Sequence, residues 1–252
     1  MTDVGTGAAD GAPLTAQATA PGEPPAGSPG ADTPEEDGTT HGSGLDDGRV
    51  EVLAGGIVVG LTVLAALWFR SHPGPVFLDR WGFSLVHPAN GNRDWQRVTE
   101  LRSVSVLVAG SILAAVVVVG RDRWRALACL VAPTIAVALT EYVLKPGVGR
   151  RFTEVISFPS GTTTVVGSLA MAWVLATPRR IRPVVTAVAA FLVGLECMAV
   201  IALQWHYPSD AVGGAVFGAG VVVLIDGLLH LAVDAVRRHQ APGTADVDDA
   251  TS

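Results

Sequence analysis

Six apolar blocks set the terms for this chain: residues 52–68, 104–120, 126–144, 163–176, 183–203 and 211–233. Each approaches or reaches the roughly 20 residues that cross a bilayer core. The fourth must take in Pro159 to Thr162 to reach full length. With 49% of residues apolar and only 16% charged, the blocks predict an all-α protein, an integral membrane bundle of six transmembrane helices over residues 49–236.

The flanks read differently. Residues 1–48 are rich in Gly, Ala, Pro and Thr and hold nine acidic residues and no Lys or Arg, the composition of a disordered acidic tail. Its protein partner, if it has one, is not legible. Residues 237–252 read as a second disordered tail. The opening stretch has no apolar run of the length a cleavable signal peptide needs, so the first span is expected to act as its own insertion signal. Cys129 and Cys197 fall inside spans and read as small packing residues.

Arg121, Arg123 and Arg125 cluster between spans two and three, and Arg179, Arg180 and Arg182 between spans four and five. Short arginine-rich loops are cytoplasmic, which puts both termini inside a bacterial-type plasma membrane. The outer loops nevertheless carry eight basic residues against nine inside. Lys145, Arg150 and Arg151 form a tight basic cluster where topology gives no reason for one, so an anion is expected there. The chain has sixteen arginines and a single lysine, and that lysine is Lys145. A compact ammonium suits a point contact with a phosphate oxygen.

Three outer segments can converge: "KPGVGR" after span three, "FPSG" opening span four, and "HYPSD" between spans five and six. Lys145 and Arg150 would neutralise phosphate charge. Ser160 and Gly161 lie at a helix N-terminus, where free amides and the dipole favour an anion. His206 offers an imidazole that can attack phosphorus, and Asp210 a carboxylate to orient it. His with Asp four residues on is a weak signal alone; its weight comes from the other two segments.

In this order, each at an outer span end, these segments resemble the three signature motifs of the type 2 phosphatidic acid phosphatase superfamily, over about residues 52–236. The resemblance implies a six-span membrane phosphatase of lipid phosphates with an extracytoplasmic site. His206 would be the nucleophile that forms a phosphohistidine, with Asp210 as its orienter. Lys145, Arg150, Ser160 and Gly161 would bind the phosphoryl group. No cofactor or metal is implied, since side chains supply the positive charge, and no nucleic acid is expected.

The chain departs from the family pattern at three points. Phe152 stands where the first motif has an arginine, and Arg150 or Arg151 is the candidate replacement. Thr162 stands where the second motif has the histidine that protonates the leaving oxygen. Val200 stands where the third has an arginine, with Ala199 where a serine is common. General acid catalysis contributes typically about 10²- to 10⁴-fold, so its loss need not abolish turnover. An alkoxide leaving from a monoester needs the proton badly, whereas a phosphate monoester leaving from a diphosphate needs it less. The missing acid therefore favours a polyprenyl diphosphate. Loss of the arginine is harder to offset, because charge stabilisation carries most of phosphoryl transfer.

Other acids are candidates for the site. His72 and His87 in the long outer loop could reach back as substitute acids. Glu141 lies one turn before Lys145 and is expected to pair with it. Glu196 lies one turn before Val200, and a carboxylate inside a span is costly enough to be read as functional. Asp226 has no assignable role. Gly167, Ser168, Gly213, Gly214, Gly218 and Gly220 read as close helix packing and, with no strand before them, exclude a dinucleotide fingerprint. Two readings stand: a membrane phosphatase working through His206, and an impaired or inactive relative that binds anionic headgroups or a partner protein in the same pocket. A transporter lacks the inverted repeat or broken-helix pair that would support it.

Overall fold

The computed structural model describes residues 43–89 and 91–240, so the tail expectations for 1–42 and 241–252 fall outside the described residues. Helix α1 (Ser43–Ser71) is followed by the short α2 (Phe77–Leu85) and α3 (Arg93–Val98), then a 3-10 turn (Thr99–Arg102) that leads into α4 (Val104–Val119). Helix α5 (Arg123–Leu139) ends in a π-turn (Thr140–Leu144) and a single turn, α6 (Lys145–Val148). A two-residue hairpin, β1 (Arg151–Phe152) against β2 (Val155–Ile156), precedes α7 (Gly161–Ala176), α8 (Arg182–Ala202) and α9 (Pro208–Gln240). Helix α1 begins inside the segment expected to be tail, and α9 continues to Gln240, beyond the expected end at 236.

Each of the six apolar blocks falls on a helix, but the six are not equivalent. Four are long and apolar enough to cross a membrane: Gly48–Ser71, Arg123–Val148, Arg182–Ala202 and Pro208–Gln240. A fifth is reached if Arg93–Arg102 and Val104–Val119, bent 49° apart, count as one span. The fourth block is α7, 16 residues long. At 1.5 Å per residue it is about 24 Å long, short of a 30 Å core. Ser160 starts it sharply, capping the Thr163 amide with its hydroxyl at 3.4 Å.

Helix α9 is the hub, packing against α1, α5 and α7, while α4 leans on α5 and α7, and α8 on α7. Along α1, Leu53, Ile57, Leu61, Leu64 and Leu67 are 58–65% exposed. An apolar stripe of that length is a liability in water but suits lipid tails. Between helices, small residues permit backbone contact, as the glycine-rich stretches of α7 and α9 predict. A Cβ on Gly218 would stand 2.5 Å from the Thr164 carbonyl oxygen and 3.0 Å from the Ser168 amide nitrogen. Thr163 adds a hydroxyl bond to the Ala211 carbonyl at 2.8 Å, fixing α7 on α9. Gly218→Leu is therefore expected to lower stability by about 1–3 kcal/mol or more through overpacking. Its melting temperature in detergent should drop well below that of the parent chain.

The arginine-rich end of the bundle is held by ions. Asp122 caps α5, accepting from the Trp124 and Arg125 amides at 3.0 Å. Arg125 bridges Glu51 and the buried Asp226, both at 2.9 Å. That supplies the role for Asp226 that local sequence did not: it ties α9 to α5 and α1.

Candidate active site

At the opposite end of α5 and α7 a cavity of about 680 Å³ opens, with Lys145, Gly161, Thr162 and His206 in its wall. Three pieces of backbone build it. The π-turn is pinned to α7 by Thr140 and Thr164, whose hydroxyls lie 3.3 Å apart. Lys145 follows at once, and Gly149, in the left-handed region at φ 67°, ends the single turn of α6 and turns the chain away. The hairpin returns it, and the Ser157 amide closes on the Arg150 carbonyl at 2.8 Å. The α7 N-terminus then faces the cavity, its first two amides without intrahelical acceptors.

His206 sits in the loop between α8 and α9, 8% exposed. Its Nδ1 lies 3.1 Å from the Ser157 carbonyl oxygen. A carbonyl only accepts, so Nδ1 carries the proton and Nε2 keeps a lone pair. Burial, and after it the Lys145 ammonium, push the imidazole down to about 4, against the opposing effect of the Ser157 bond. At neutral pH the ring is uncharged and nucleophilic.

Asp210 is not the group that orients this ring. Its carboxylate accepts from Arg150 Nη1 at 2.5 Å and from the Tyr207 amide at 3.3 Å. Arg150 does not face the cavity either. It is fully buried between the rings of Phe69 and Tyr207, whose centroids lie 3.9 and 4.4 Å from its guanidinium carbon. Its five N–H groups go to Pro73 and Gly74 carbonyls, Ser209 Oγ, Asp210 and Asp79, at 2.5–3.2 Å. No donor is left for phosphate. The expected phosphate clamp is instead the bolt that fastens α2 and α9 to the loop after α6.

Of the other expected residues, Ser160 is buried as the cap of α7, and Arg151 lies exposed in β1. Glu196 is fully buried in α8, with neither carboxylate oxygen hydrogen-bonded among the described residues and no place in the cavity wall. His72 stacks on Trp68 at 4.8 Å, away from the cavity, and His87 is also absent from its lining. Glu141 does line it, paired with Lys145 at 2.7 Å as the i,i+4 spacing predicts.

Arg102 is the residue that sequence reasoning missed. It leans over the Trp205 ring at 5.0 Å, reaches Thr162 Oγ1 at 3.4 Å, and lines the cavity with His206. Its signal was its position as the last basic residue of the long outer loop, at the mouth of span two. Val200 is fully buried against Ile201 and Ala211, so the guanidinium enters from another helix.

The helices and this cavity define a membrane protein with an imidazole, an ammonium and a helix N-terminus converging at one end of the bundle. Residues 145–230 match the family model of the PAP2 superfamily, and that stretch holds all three motifs. That similarity suggests phosphatase activity on lipid phosphates. No curated protein and no solved structure matches the chain.

Proposed function

We infer that the chain is a membrane phosphatase of lipid phosphates or diphosphates, acting at the extracytoplasmic face through a phosphohistidine on His206, with a polyprenyl diphosphate favoured. The observation that carries this reading is the contact of His206 Nδ1 with the Ser157 carbonyl, which leaves Nε2 free as a buried nucleophile in the cavity that Lys145 also lines. Nε2 attacks the terminal phosphorus, and the electron pair of the breaking P–O bond stays on the leaving oxygen. Lys145, Arg102 and the amides of Gly161 and Thr162 surround the space where the phosphoryl oxygens would lie. Arg102 would supply the guanidinium that the third motif lacks.

A second reading is favoured by one specific fact: neither Arg150 nor Asp210 serves the cavity, so an inactive relative that holds anionic headgroups or a partner protein would have the same walls. Thr162→His separates the two. On a phosphatase, the restored acid is expected to raise turnover of phosphatidic acid by about 10-fold or more and of a prenyl diphosphate by less. Steady-state phosphate release from both lipids measures it. An inactive binder gives no release from either, with or without the substitution.

A further inference from the structure

Thr162 lines the cavity with His206, and the family resemblance implies that residue 162 faces the leaving oxygen. In an in-line displacement, the water that later hydrolyses the phosphohistidine enters from that same side. Threonine is a poor base, so a chain that works through His206 needs another group there to take the water's proton.

Glu141 lines the same cavity, next to the residue that precedes Thr162. Its Oε1 rests so close to Gly161, the first residue of α7, that a Cβ added to that glycine would collide with it, and Lys145 Nζ would be 3.3 Å from the same Cβ. A side chain at 161 would displace the carboxylate, which is held at 2.7 Å by Lys145 and lines the cavity with Thr162 and His206. Its side chain is 40% exposed, so water reaches it. The π-turn that carries it is anchored one residue earlier, at Thr140, to Thr164 of α7. Single π-turns inside α-helices recur at functional sites.

We propose that Glu141 is a catalytic residue of the second half-reaction, the general base for hydrolysis of the phosphohistidine. Water attacks phosphorus and gives one proton to the Glu141 carboxylate. The P–N bond breaks, and its electron pair returns to Nε2 of His206. Inorganic phosphate leaves, and Glu141 releases its proton to solvent. This rests on the phosphatase reading above. It fits a substrate whose first step needs no acid.

Rapid-quench kinetics of the full chain in detergent, with a prenyl diphosphate labelled on its terminal phosphorus, test the proposal. Glu141→Gln is expected to keep the first-turnover burst of prenyl monophosphate, lose about 10²-fold or more in steady-state phosphate release, and accumulate label on the protein. Glu141→Asp should recover part of the steady rate. A carboxylate that only positions Lys145 would slow the burst instead, and one that only competes with phosphate would make Glu141→Gln faster. Either outcome, or unchanged kinetics in both phases, overturns the proposal. Failure of the phosphatase reading looks different: the unsubstituted chain itself shows neither burst nor label.

Discussion

Replacing His206 by alanine is expected to reduce phosphate release from a prenyl diphosphate by about 10⁴-fold or more, without loss of fold. A nucleophile that forms a covalent intermediate has no substitute within the same pathway, and its removal leaves only the binding and electrostatic contributions of the site. The charges around it remain after the substitution: Lys145 keeps Glu141, and Arg102 keeps Thr162 and Trp205. Lipid binding should therefore persist while turnover is lost. The same residue sets a pH signature. An imidazole held down to about 4 stays uncharged through the range in which a free histidine would protonate. The nucleophile should thus remain available as pH falls from 7 toward 5, and kcat/KM should lose it only near pH 4. Because the folded value lies below the ordinary one, His206 also removes stability as pH falls below about 6.5, a loss that grows down to about 4.

Arg150→Met is expected to destabilise the protein by about 3–5 kcal/mol, the cost of leaving buried charge without its partner. Asp79 and Asp210 are fully buried, and each loses its guanidinium contact, at 2.8 and 2.5 Å. Asp79 keeps the Val76 and Ser209 amides, at 2.9 and 2.8 Å, but these do not neutralise a second carboxylate nearby. Arg150→Lys should recover little, because an ammonium with three donors cannot replace a planar fork serving five acceptors. Thermal unfolding in detergent measures both. A phosphate-binding Arg150 would behave in the opposite way, with melting unchanged and KM raised. That result would contradict the burial described above.

These cases mark what the sequence made legible. The helical blocks were readable because lipid demands apolar stretches of a set length, and all of them fall on helices. The span count was less so. Length and composition give α7 only 16 residues, and α4 meets the preceding helical segment at 49°. In the site, Lys145, Gly161, Thr162 and His206 converge as three short segments at outer span ends suggested, and Glu141 pairs with Lys145 as its helical spacing required. Arg150 was misread because its fate depends on Asp79, 71 positions earlier in the chain, and on the left-handed turn at Gly149. Neither leaves a mark in local spacing. Asp210 followed Arg150 for the same reason, and the Ser157 carbonyl that replaces it on His206 is a backbone group that residue type cannot reveal. Arg102 was hidden among the basic residues of a long loop, since it joins the cavity through tertiary contacts with Trp205 and Thr162.

The most direct measurement is chemical capture of the intermediate: the full chain, in detergent, quenched in alkali after a single turnover of a prenyl diphosphate labelled on its terminal phosphorus, then digested and mapped. Alkali-stable, acid-labile label on the peptide containing His206, absent from the His206→Ala protein, is the expected result. Phosphate released at full rate with no label on His206 would mean that water attacks the lipid directly, and would contradict a phosphohistidine mechanism at this site.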